Sequence, residues 1–132
     1  MTVTAEEFQG LYWLAGRWVG MGPDSVPFAE IYVLVDDSTF KTFSWSDTNL
    51  TQLSDSSTLS LRRGQVSSGS GEARWVLTRW DRFGLRFEPR GKAVNTFIWR
   101  QIDGYTWLAT LKWTDAKGGA QARVYTMRRW QL

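Results

Sequence analysis

Few residues in this chain have types and spacing suited to chemistry. Glu30 and Tyr32 stand two apart in a strongly β-forming run, 28–35, so both side chains leave the same face of a strand. Were that face the inner one, a carboxyl among aromatic rings would hold its proton more tightly and could act as an acid or base. Tyr32 could then polarise a carbonyl. The competing reading pairs Glu30 with an arginine near a rim, such as Arg17 or Arg100, because structural ion pairs also perturb carboxyls. Ser44 and Asn95 are further polar candidates. Asn95 and Tyr32 could each contact a ligand or satisfy a neighbouring backbone group.

Absences narrow the chemistry further. The chain has no Cys and no His. Thiol catalysis, disulfides, a serine hydrolase with a His base and haem ligation through His are therefore excluded. A zinc site would have to be made of carboxylates alone, so no metal and no cofactor is expected. Net charge is only +3. Basic residues are spread along the chain, with Arg62-Arg63 and Arg128-Arg129 the adjacent pairs, so no stripe for nucleic acid is expected. No apolar run reaches membrane-spanning length and no leader-like start is visible, which reads as a cytoplasmic protein, monomeric or homodimeric.

The elements that must position these residues are strands. Thr4 with Glu7 three residues on forms a capping-box signature, followed by Phe8, Leu11, Tyr12 and Ala15 on one helical face and Gly16 as the stop. Strands are then expected over 17–22, 28–35 and 39–45. One or two more fall in 50–61, with a break at 54–56. The segment 67–71, Ser-Ser-Gly-Ser-Gly, reads as a mobile loop, and the Gly-rich stretch 64–71 that contains it as a gate over an open mouth or a bare flexible loop. Further strands follow over 74–80, 85–88, 95–102, 106–113 and 121–130. Roughly nine or ten strands with turn signals every eight to twelve residues is the pattern of a sandwich or barrel. The whole chain, 1–132, reads as one domain. The predicted fold is all-β: an up-and-down antiparallel barrel whose closure removes both sheet edges, with a short N-terminal helix closing one end.

Nine Trp, seven Phe and four Tyr give this barrel an aromatic interior. With Lys41, Arg86 and Arg100 outside, alternation turns Phe40, Thr42, Ser44, Leu85, Phe87, Asn95, Phe97 and Trp99 inward. Trp107, Ala109, Leu111 and Trp113 follow, as do Trp75 and Leu77. Phe40, Thr42, Ser44, Trp75, Phe87, Asn95, Phe97, Trp99 and Trp107 are thus the expected ligand-binding set. Arg74, Arg79, Arg86, Arg100 and Arg123 read as exterior.

The opening Leu11-x-Trp13-Leu14-Ala15-Gly16-x-Trp18 resembles the calycin barrels. It is most similar to a bacterial family of lipocalin-like single-domain proteins, and more distantly to nitrobindins and fatty-acid-binding proteins. Phe28-x-Glu30-x-Tyr32, Leu85-Arg86-Phe87-Glu88-Pro89, Phe97-Ile98-Trp99 and Trp107-Leu108-Ala109-Thr110-Leu111 match in order along nearly the whole chain. The resemblance implies that Glu30, Tyr32 and Leu34 point inward. It also implies a plug in which Trp18 packs against Arg128 or Arg129. The family's His-Asp-Phe-Pro segment is replaced here by 89–95, so chemistry tied to that His does not carry over.

Three functions fit. The first is a module binding a small apolar or aromatic molecule. The second is a cofactor-free cyclase or isomerase, pericyclase-like and of the kind used in natural-product biosynthesis, that folds its substrate in a dry cavity with Glu30 or Tyr32 as the catalytic group. The third is a filled barrel that binds a partner through its outer face.

Overall fold

The computed structural model describes residues 1–130. Helix α1 (Ala5–Phe8) runs into a 3₁₀ helix (Gln9–Leu14). Ten strands follow: β1 (Gly16–Met21), β2 (Pro27–Asp36), β3 (Thr39–Trp45), β4 (Leu53–Arg62), β5 (Gln65–Ser70), β6 (Ala73–Asp81), β7 (Gly84–Gly91), β8 (Thr96–Gln101), β9 (Thr106–Thr114) and β10 (Ala120–Arg129). Each pairs antiparallel with the next, and β10 returns to β1, with Trp18 opposite Arg129 and Met21 opposite Thr126. The result is the all-β closed meander with a short N-terminal helix. Among the described residues every strand has a partner on both sides, although the β1–β10 and β7–β8 ladders are short.

The helical opening departs from the expected α period. Thr4 and Glu7 do form the reciprocal capping box. After Phe8, however, the chain tightens to 3₁₀ geometry, and the buried residues are Phe8, Leu11 and Leu14, spaced by three. Leu14 takes the place expected for Ala15, and Gly16, at φ 123°, opens β1 rather than ending an α-helix.

Two strand expectations are corrected. The expected break at 54–56 is a bulge within one continuous strand: Asp55 and Ser56 pair with Ser44 and Phe43, and the register shifts at Ser54, between Leu53 and Asp55. The Ser/Gly segment is not a gate. Ser67, Ser68, Gly69 and Ser70 are strand residues of β5, held by β4 on one side and β6 on the other. Gly69 sits at φ 133°, and a Cβ there would lie 2.3 Å from the Ala73 carbonyl oxygen, so the sheet needs glycine at this point.

The interior is solid at the helix end. Phe8, Leu11, Leu14, Trp18, Phe40, Leu59, Val66 and Met127 are all essentially inaccessible. A bulge between Leu77 and Arg79 in β6 shifts the alternation, so that Trp80 also packs against this core, beside Gly10. At Gly20 the absence of a side chain admits Phe28 and Met127: a Cβ would come within 2.3 Å of the Phe28 ring.

The plug is built by Arg129. Its guanidinium lies 4.2 Å from the centre of the Trp18 ring, and its nitrogens donate to the carbonyls of Gly104, Ala15 and Trp13. Trp18 Nε1 donates to the Leu14 carbonyl at 2.8 Å. Arg128, one residue away, faces outward into a groove with Val19 and Met21.

Candidate functional site

Beyond the plug the barrel is hollow. A cavity of about 440 Å³ lies toward the end opposite the helix, within the range of small-molecule sites. Its two walls differ in chemistry because they come from different strands. Strands β8, β9 and β10 supply Phe97, Trp99, Trp107, Ala109, Leu111, Tyr125 and Met127, joined by Phe28 of β2. Strands β2 to β5 supply Glu30, Tyr32, Thr42, Ser44, Asp55, Ser57 and Ser68. One wall is ring and methyl surface; the other carries hydroxyls and two carboxyls.

The rings form a continuous system. Phe97 stacks on Trp99 with centroids 5.4 Å apart, and Trp99 meets Trp107 at 5.3 Å and Tyr32 at 6.2 Å. Such pairs prefer offset and edge-to-face geometry, which also fixes each ring's orientation. Trp107 touches Trp13 and Trp18 edge-to-face on its plug side. Its Nε1 is buried without a hydrogen-bond partner among the described residues.

Glu30 is the centre of the polar wall. The Tyr32 hydroxyl donates to one carboxylate oxygen at 3.1 Å, and the Ser44 hydroxyl donates to the other at 3.2 Å. No ion pair among the described residues includes Glu30. The arginine partners considered from sequence are excluded by alternation. Arg17 precedes the inward Trp18, the cross-strand neighbour of Glu30, and therefore points out. Arg100 follows the inward Trp99 and is exposed. Desolvation raises the Glu30 pKa above the ordinary glutamate value, and the two hydroxyl donors oppose that rise only in part. The Tyr32 hydroxyl is pushed well above its ordinary value by burial, by the Glu30 charge and by its hydrogen bond to Glu30. Glu88 gives the contrast. It lies outside the barrel, its carboxylate accepts from Arg86 at 2.6 Å, and its pKa is lowered, chiefly by that bond.

Of the residues singled out in the sequence, Glu30, Tyr32, Thr42, Ser44, Phe97, Trp99 and Trp107 come together at the cavity. Phe40, Trp75, Phe87 and Asn95 do not reach its wall. Phe40 is in the plug, against Phe8 and Tyr12. Phe87 lies behind Phe97 and Trp99, stacked on the former at 4.6 Å. Trp75 packs on Phe97, and its Nε1 donates to the Asn95 carbonyl, so Asn95 serves a tryptophan through its backbone. Trp113 is half-buried near the guanidinium of Arg123, which also donates to the Tyr125 hydroxyl. Arg123 shares the parity of Tyr125 and Met127, but it lies past the end of the β1 pairing and is exposed to solvent, as expected for it.

Asp55, Ser57, Ser68, Phe28, Tyr125 and Met127 were not singled out. The signal existed for some of them. Counting back by twos from Leu59 gives 57 and 55, and from the plug residue Arg129 gives 127 and 125.

Among the described residues no group of three or more carboxylates is placed to hold a metal, and no helix is long and apolar enough to cross a membrane. Comparison with protein-family models, curated proteins and solved structures yields no match to the chain.

Proposed function

We propose that the barrel is a lipocalin-like binding module that holds a small molecule, apolar or aromatic in its body, between the ring wall and the polar wall. The observation that carries this reading is the cavity itself: about 440 Å³ left unfilled beside Phe97, Trp99 and Trp107 in a chain rich enough in large rings to have filled it. A preformed apolar surface with a few fixed polar anchors is the usual build of a small-molecule site. Tryptophan fluorescence is the direct reporter, because Trp99 and Trp107 line the space. Titration with a panel of planar apolar compounds should give saturable quenching by at least one member. A flat response across the panel overturns the reading.

A second reading is favoured by one contact. Tyr32 donates to Glu30 at the cavity wall, which positions that carboxyl as the acid or base a cofactor-free isomerase or cyclase would need. Its test is a Tyr32→Phe variant that binds as the parent does but loses turnover of the bound compound.

A further inference from the structure

The charge inventory of the cavity is one-sided. Glu30 and Asp55 both line it, and no Lys or Arg does so among the described residues, although the chain as a whole carries an excess of positive charge. Two arginines come near it without lining it, one in the plug and one exposed at the rim. Arg129 is held by the three plug carbonyls and the Trp18 ring, and Arg123 lies beside Trp113 and Tyr125.

From this we infer, resting on the binding-module reading above, that the ligand is an amphiphilic organic cation, whose ammonium or amidinium group meets Glu30 and whose planar apolar body lies on Phe97, Trp99 and Trp107. The geometry supplies each part of the recognition. The Glu30 carboxylate is positioned by two hydroxyl donors, Tyr32 at 3.1 Å and Ser44 at 3.2 Å, neither of which neutralises it. Even a half-buried carboxylate without a countercharge is costly, and a cation that pairs with it recovers that cost on binding. Tyr32 and Trp99, edge-to-face at 6.2 Å, line the cavity together with Glu30, so a cation held in it gains further attraction from aromatic surface. An anionic ligand of the same shape meets the opposite conditions. Its carboxylate would face Glu30 and Asp55 with no guanidinium or ammonium to receive it.

The test uses the intact protein and three probes of one shape, 2-naphthylmethylamine, 2-naphthylmethanol and 2-naphthoate, titrated by calorimetry at neutral pH. The amine should bind at least tenfold more tightly than the alcohol, and the naphthoate most weakly. In a Glu30→Gln variant the amine-over-alcohol ratio should collapse toward one, and in Asp55→Asn it should fall less, because Asp55 is exposed to solvent. Saturable binding of all three without preference for the amine, or tightest binding of naphthoate, overturns the charge assignment and leaves the cavity reading standing. Absence of saturable binding by all three overturns both. The parent protein alone decides between these outcomes, so the proposal does not depend on how either variant folds.

Discussion

The guanidinium of Arg129 covers the indole of Trp18 at 4.2 Å while its nitrogens cap carbonyls of the 3₁₀ helix end and of the β8–β9 turn. One residue from the last strand thereby ties together the first strand, the N-terminal helix and a hairpin on the far side of the seam. This geometry needs a planar fork, and a lysine ammonium cannot reproduce it. Arg129→Lys should therefore destabilise the protein by about 2 kcal/mol, and Arg129→Ala by more. Arg128→Ala, on the outer face, should stay within about 0.5 kcal/mol. Guanidinium chloride unfolding of the three variants checks the order, and equal losses at 128 and 129 would contradict it.

Glu30 makes the fold sensitive to pH in a definite direction. Its carboxyl holds the proton more tightly in the folded chain than in the unfolded one, because burial raises its pKa. The unfolded state then binds fewer protons across the window between the ordinary and the raised value. The Glu30 contribution to stability is full below that window and is lost as pH rises through it. Glu30→Gln keeps the shape and removes the charge, and the Tyr32 and Ser44 hydroxyls can rotate to suit an amide. The variant should match the parent in acid and exceed it at neutral pH. Melting temperatures measured from pH 4 to 8 should diverge upward with pH, and parallel curves would refute the account.

Gly69 and Gly71 look alike in the sequence and differ in the fold. At Gly69 a Cβ meets the Ala73 carbonyl at 2.3 Å with φ at 133°, a region closed to L-residues. At Gly71, φ is 59° and no atom lies within 4 Å of the added Cβ. Gly69→Ala should cost about 2–4 kcal/mol or prevent folding, through strain and displacement of β6 from β5. Gly71→Asn should be close to neutral, since Asn tolerates the left-handed region. Thermal unfolding of both variants distinguishes this strand from a gating loop, which would accept either change.

These glycines also show where the sequence is legible and where it is not. Strands such as β3 and β9 announce themselves because apolar inward residues alternate with polar outward ones, Phe40 with Lys41 and Leu111 and Trp113 with Thr110 and Lys112. The first half of β4 and the part of β5 beyond the buried Val66 carry Asp55, Ser57 and Ser68 at inward positions, where the cavity leaves nothing apolar to pack against. Hydrophobic alternation vanishes in the strands that border an open polar space, so the segment reads as loop although both neighbours pair with it. The choice between Arg128 and Arg129 was likewise beyond the sequence, because a small error in where β10 begins reverses which of two adjacent arginines faces in. The split between plug and cavity depends on depth along the barrel axis. Phe40 and Thr42 share one face of β3, yet only Thr42 lies far enough from the helix to reach the space.

Ala109 offers a way to close that space without touching its charges. It lies on the inner face of β9, opposite Trp99 on one side and Tyr125 on the other, and its small side chain lines the cavity. Ala109→Phe places a ring where the aromatic body of a ligand would lie, on a strand that favours aromatic residues. Because the added volume enters an existing void rather than a packed core, the usual cost of overpacking does not apply, and burial of the new ring adds about 1–2 kcal/mol of favourable transfer energy. The variant should melt at or above the parent temperature yet bind 2-naphthylmethylamine at least tenfold more weakly. A substitution that stabilises the barrel while abolishing its binding assigns the ligand to the interior, since a surface site would be indifferent to a ring hidden inside. Undiminished binding in a folded Ala109→Phe protein would place the ligand elsewhere, and the outer face of β1 and β10 around Val19, Met21 and Arg128 would then become the surface to examine.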